Sequence, residues 1–230
     1  MRIGGNLNKV DVKTLSNIAP ATQDEIAEIR KTLDSQKPAF VPHEDYLALL
    51  AFGGTIQSAY VPAAENIEPV WMNPALERTL ELQQDFGVIG DGVTGAILLA
   101  KDSREITNAD AVRLVHTIEQ MPNKRILISC GTYMLPSVAR VLAFHFGRRH
   151  TDKIIGVTGS WLPASQAGQD VDFNVGGGIA AINAFNTATQ KGIVFAHFHG
   201  RIFVGDDLET FNLHPPGINP KFVRQTVVTQ

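Results

Sequence analysis

The chain has 230 residues, 44% of them hydrophobic and 19% charged, with a formal net charge of -3. That length and apolar content suit one large domain, with or without an extension. The charge leaves no electrostatic footprint for nucleic acid or an acidic membrane surface, no apolar run approaches the ~20 residues of a membrane helix, and the single cysteine, Cys130, excludes an intrachain disulfide and argues against a cysteine-based zinc site.

The amino terminus has no apolar h-region followed by a small-residue cleavage site. With one cysteine, that reads as a protein of the reducing cytoplasm. Residues 1–42 are polar and end in a proline-bearing stretch, Lys37-Pro38 and Val41-Pro42. One amphipathic helix is predicted there, from Gln23 to Asp34, with Ile26, Ile29 and Leu33 as its apolar stripe. This segment is expected to be an extension packed on the main domain, 43–230, or on a partner.

From Tyr46 the pattern changes. Leu47–Phe52 is a continuous apolar run closed by Gly53-Gly54, the mark of a buried parallel strand ending in a tight turn. Gln57 to Val70 is small, polar and proline-bearing, and is expected to be a surface loop or a lid. Ala96–Leu99 reads as a short strand. Asn108 to Gln120 reads as a helix with Ala111, Leu114, Val115 and Ile118 on one face, capped by Thr107 or Asn108. Arg125–Ser129 is the next strand. Pro136 opens a helix running to about Phe146. Lys153–Thr158 is a strand ending in Gly159, and Val175 to Ala188 a helix. Gly192–Phe198 and Ile202–Val204 close the series as paired strands, with Gly200-Arg201 in the turn.

This β-α-β-α succession predicts a doubly wound α/β fold: a mostly parallel sheet with helices on both faces. Ligands of such sheets bind outside the carboxyl ends of the strands. Position therefore nominates Gly53-Gly54-Thr55, Asp102-Ser103, Gly131-Thr132-Tyr133 and Thr158-Gly159-Ser160. GVTGS and VGGGIAA lack the complete dinucleotide and P-loop patterns, so close helix–strand packing explains their glycines and no cofactor is expected. His197 and His199 alternate on a strand, with Asp206 and Asp207 following. Two histidines without a third ligand read as core or surface residues, and no metal is expected.

Five of these segments, in order, resemble the bacterial-type L-asparaginase family: AFGGTI at 51–56, DSREIT at 102–107, CGTYMLPSVA at 130–139, DKIIGVTGSWLPAS at 152–165 and DFNVGGGIAAI at 172–182. The resemblance covers roughly residues 46 to 205 and reaches only the first of the family's two domains. It implies hydrolysis of the side-chain amide of L-asparagine or a related small amide, with Thr55 as nucleophile and ammonia as leaving group. A threonine hydroxyl is a weak nucleophile until a base or a nearby cation activates it. By resemblance Thr132 and Lys153 form the second half of the site, and Tyr60, the one tyrosine in the following loop, assists proton movement. Ser103 would hold a substrate carboxylate, with Asp102, Gly131 and Tyr133 lining the same site.

The plain alternatives are turn residues for the threonines, a surface lysine for Lys153 and a cap for Ser103. Tyr133 stands where the family carries an aspartate that meets the substrate's α-ammonium, and Cys130 stands in place of a histidine. Tyrosine brings no negative charge near neutral pH. Weak or absent activity on L-asparagine is therefore expected unless Glu65, Glu68 or Asp102 substitutes. The alternative expectation is a catalytically impaired relative that binds a small molecule or a partner. The family's symmetry implies a homo-oligomer.

Overall fold

A computed structural model describes residues 43–61, 66–77, 79, 92–147, 151–185, 187, 189–190 and 192–213. The expected helix at Gln23 to Asp34 lies outside them, as does Glu65. Among them are eight strands: β1 (Leu47–Phe52), β2 (Ser58–Val61), β3 (Asn66–Pro69), β4 (Val93–Leu99), β5 (Arg125–Cys130), β6 (Ile154–Thr158), β7 (Ile193–Phe198) and β8 (Arg201–Val204). Four helices carry the labels α1 (Asn108–Gln120), α2 (Leu135–Leu142), α3 (Val171–Ala184) and α4 (Asp207–Thr210).

Six strands form one sheet in the order β4-β1-β5-β6-β7-β8. The first five are parallel and β8 returns antiparallel to β7. Alternation along the strands sorts side chains onto two faces. Leu50 and Phe52 of β1, Ile126 and Ile128 of β5, and Ile155 and Val157 of β6 enter one core with Leu114, Val115 and Ile118 of α1 and Leu135, Val138 and Leu142 of α2. Leu47, Leu49, Leu127, Ile154 and Phe195 enter the other with Val171, Val175 and Ile182 of α3. Both faces are covered, which is why these strands read as unbroken apolar runs.

Local chemistry sets the element ends. Thr107 and Asp110 form a reciprocal capping box, with the Asp110 amide donating to Thr107 Oγ1 at 3.3 Å and the Thr107 amide donating to Asp110 Oδ2 at 2.8 Å. α2 gives way to a π-helical turn at Ala143–Gly147 instead of continuing as α-helix. α3 starts four residues earlier than expected because Gln169 Oε1 accepts the amides of Val171 and Asp172. The 57–70 stretch is a hairpin, β2 against β3, rather than a loop. The β7–β8 turn is formed by His199 and Gly200, with φ of 48° and 75°, one residue before the expected position. Among the described residues no helix is long and apolar enough to cross a membrane.

The chain leaves β1 towards β4 on one side and re-enters at β5 on the other. β1 is thus the strand where the order reverses, the place where sheets of this kind bind ligands in a crevice outside their carboxyl ends.

Candidate active site

Four strand ends meet at that crevice. After β1, Gly53 and Gly54 take φ of 73° and 87°, and the chain enters a single 3-10 turn at Thr55–Gln57. Buried Gln57 closes the turn: its Oε1 accepts the Gly53 amide at 2.8 Å and its Nε2 donates to Val70 O at 3.1 Å. The Gly54 amide donates to Lys101 O at 2.8 Å, tying the β1 turn to the end of β4.

The closest approach is between Gly54 and Gly131, which follows β5. A Cβ on Gly54 would lie 2.0 Å from Gly131 Cα. A Cβ on Gly131 would lie 2.6 Å from Ser103 Oγ and 2.8 Å from Gly54 Cα. Only glycine permits this contact. It brings the Thr55, Ser103 and Thr132 segments together at one backbone junction. Gly159 continues the arrangement after β6, its missing Cβ facing Cys130 O at 2.4 Å.

Hydroxyl bonding separates these residues into two groups. Thr158 Oγ1 donates to His197 O at 3.0 Å, Ser160 Oγ to Leu162 O at 2.6 Å and Ser58 Oγ to Gly54 O at 3.0 Å. Those hydroxyls are committed to holding backbone. Among the described residues, no side-chain hydrogen bond engages the hydroxyl of Thr55, Ser103 or Thr132, although Ser103 and Thr132 are buried. Hydroxyls in that condition are available to a ligand.

Next to them stands a fixed ion pair. Arg104 Nε and Nη2 donate to the two Asp102 oxygens at 2.9 and 2.8 Å, and the Arg104 amide adds a bond of 2.8 Å. The Arg104 hydrogen bond holds the Asp102 carboxyl below the usual carboxylate range, and Asp102 raises the guanidinium in turn. The guanidinium carbon lies 5.9 Å from the Tyr133 ring centroid. Arg104 was not among the sequence-nominated residues; its signal is an arginine two positions after a strand-end aspartate.

Lys153 does not join this group. It precedes β6, so it sits at the amino end of the sheet, separated from the Thr158 end by a strand of roughly 17 Å at ~3.3 Å per residue. Its ammonium is buried and donates to Met121 O at 2.6 Å and Asn123 O at 3.1 Å. Burial lowers its pKa, partly offset by Asp152. The lysine expected in the site instead caps carbonyls after α1, because a residue at the start of a parallel strand faces away from its carboxyl-end crevice.

Tyr60 lies on β2, opposite Ile67. Glu68 is exposed on β3, and Asp102 is committed to Arg104. Cys130 is fully buried, and burial pushes its thiol up. His197 and His199 do not share a strand face, since His199 is in the turn. His197 Nδ1 pairs with Asn174 O at 3.0 Å, and His199 Nε2 with Asp170 Oδ2 at 2.8 Å. Burial pushes Asp170 up, but the His199 bond and the Trp161 and Leu162 amides outweigh it, so its carboxyl is held below the usual range. This cluster pins the loop after β6 to the β7–β8 turn. Among the described residues, no three His, Cys, Asp or Glu side chains group as metal ligands.

Comparison with known proteins gives one family and one fold. The family model described as the N-terminal domain of asparaginase matches residues 46–214. Among solved structures, the thermostable L-asparaginase from Thermococcus kodakarensis is 21% identical with a TM-score of 0.51, over 69% of this chain and 45% of that one. The probable cytoplasmic L-asparaginase from Campylobacter jejuni is 18% identical with a TM-score of 0.50, over 69% of this chain and 46% of that one. The chain therefore spans less than half the length of either. No curated protein matches it.

Proposed function

The chain belongs to the asparaginase N-terminal family, and from that premise we propose that it is an amidohydrolase opening the side-chain amide of L-asparagine or a related small amide with a threonine hydroxyl. One observation carries this reading: the Gly54–Gly131 contact brings the Thr55, Ser103 and Thr132 segments together, and among the described residues their hydroxyls make no side-chain hydrogen bond of their own.

In this reading Thr55 Oγ1 forms a bond to the amide carbon. Its proton ends on the departing nitrogen, so the carbon–nitrogen bond breaks with release of ammonia and an acyl ester remains on Thr55. Water adds to that ester, its hydroxide entering the new carboxyl group and its proton returning to the threonine oxygen. Thr132 hydrogen-bonds to the transferring proton, Ser103 and Gly131 help seat the substrate, and Tyr60 is a candidate for assisting the proton transfer. The developing oxyanion is favoured by the positive end of the α2 dipole, which begins just after Thr132 and Tyr133. The reaction is taken to be cytoplasmic, in a homo-oligomer, consistent with a free, buried cysteine.

Ammonia release from a panel of small amides tests the reading. We expect turnover lost by at least ~10³-fold in Thr55→Val and Thr132→Val, the scale on which a missing catalytic group acts. Folded wild-type protein that releases ammonia from no amide would sink it.

A second reading is favoured by a specific observation: Lys153, the cation expected to activate a threonine, is bound elsewhere. In it the chain binds a small molecule at the same crevice without turning it over. Ligand binding by folded protein, together with absence of ammonia release, would select it.

A further inference from the structure

The crevice carries a charge arrangement that narrows the ligand. Asp102-Ser103-Arg104 lies against Gly131-Thr132-Tyr133: Ser103 packs on Gly131, and the Arg104 guanidinium carbon stands 5.9 Å from the Tyr133 ring centroid. An α-ammonium placed there needs a carboxylate with free acceptor sites. Asp102 accepts three bonds from Arg104. Asp110, the next carboxylate along, receives Lys101 Nζ at 3.0 and 2.9 Å and closes the α1 capping box. Glu105 stands exposed beyond Arg104, where its charge acts on the guanidinium.

The cation beside it is in the opposite condition. Two of the five guanidinium N–H groups of Arg104 bind Asp102, and among the described residues the other three have no acceptor. Its plane is fixed by that fork, and the side chain is 59% exposed beside Tyr133. A guanidinium held in this way is pre-organised for a second carboxylate, and its rigidity lowers the entropy lost on binding. Beside that guanidinium the Tyr133 ring brings no carboxylate to meet an ammonium.

We propose that Arg104, steered by Asp102 beside Tyr133 and Thr132, selects a small amide whose far end is a carboxylate and which has no α-ammonium: the monoamide of a dicarboxylic acid. The proposal rests on the reading of this crevice as an amide site. In it the carboxylate meets the free N–H groups of Arg104 while the amide carbonyl lies towards Thr55 and Thr132. Arg104 is a specificity residue and takes no part in bond making.

Isothermal titration with succinate and with L-aspartate reads the selection without requiring turnover, and ammonia release from succinamate and L-asparagine reads the chemistry beside it. We expect succinate to bind at least tenfold tighter than L-aspartate. Arg104→Gln, which keeps a donor to Asp102, is expected to weaken succinate at least tenfold and erase the preference, and Arg104→Lys to restore only part of it. Tyr133→Asp is expected to reverse the preference. Equal or tighter binding of L-aspartate by wild type, unchanged succinate affinity in folded Arg104→Gln, or no succinate binding at all would each overturn the proposal. Succinate preference without ammonia from any amide of the panel supports the selection and removes the hydrolase reading. Turnover of L-asparagine in preference to succinamate keeps the hydrolase reading and overturns the selection.

Discussion

The two ends of the sheet treat the same kinds of side chain in opposite ways. At the amino end, side-chain donors are used up on the protein itself. Lys153 caps Met121 and Asn123, Asn123 Nδ2 bonds His43 O and Tyr46 O at 3.0 Å each, and Lys124 pairs with Glu44 at 2.7 Å. At the carboxyl end, glycines bring backbone into contact, and among the described residues the hydroxyls of Thr55, Ser103 and Thr132 make no side-chain hydrogen bond. Parallel strands produce this difference. They deliver all their exits to one end, where the loops diverge at β1, and all their entries to the other, where short connections must satisfy their own carbonyls.

The largest effect should come from filling the junction. Gly54→Ala places a Cβ against Gly131 Cα at a φ of 87°. Overpacking and left-handed backbone strain together are expected to cost about 3–5 kcal/mol in denaturant unfolding. A loss below ~1 kcal/mol would show that the two turns can separate, and the crevice geometry would need revision.

Lys153→Met sharpens the contrast from the other end. Removing the buried ammonium leaves two carbonyls short of a donor, so stability should fall by about 1–3 kcal/mol. Ligand affinity at the crevice should stay within about twofold, or ~0.4 kcal/mol. A selective collapse of turnover in stable Lys153→Met protein would return the lysine to the site.

Asp170 gives an effect with a pH signature. Its carboxyl is held below the usual range in the folded protein, so its contribution is present above the unfolded-state value of about 3.9 and is lost as pH falls through the lower folded value. Asp170→Asn should cost about 1 kcal/mol near neutral pH, and the gap to wild type should close in acid below roughly pH 4. A gap constant down to pH 2 would mean that packing, not the charge, holds the loop.

The smallest stability change should fall on the residues placed in the site. Thr55→Val and Thr132→Val remove hydroxyls that make no side-chain hydrogen bond among the described residues, so unfolding free energies should move by less than ~0.5 kcal/mol. A larger loss in either would mark that threonine as a structural turn residue.

The framework was legible because its signals are local. The Leu47–Phe52 run, the Gly53-Gly54 stop and the Thr107/Asp110 box each state an element and its boundary within a few residues. The β2–β3 hairpin was not legible, since SAYV and NIEP alternate poorly and carry a proline. α3 was placed late because its three glycines obscure a helix whose real start is fixed by the Gln169 side chain. The placement of Thr55, Ser103 and Thr132 just beyond strand ends is readable from the sequence, because each follows an apolar run. Arg104 was missed because its meaning depends on Asp102 and Tyr133 being beside it in space.

The sequence by itself determined a doubly wound sheet with glycine-marked exits and hydroxyl residues next to them, because periodicity and turn chemistry are properties of neighbouring residues. Only the tertiary structure decided which end of the sheet each side chain serves and which polar groups are already bonded. That decision sent Lys153 to the amino end and set Arg104 over the crevice. It belongs to the fold because strand direction and hydrogen-bond commitment join residues far apart along the chain: Lys153 to Met121, Gly54 to Gly131, Arg104 to Tyr133.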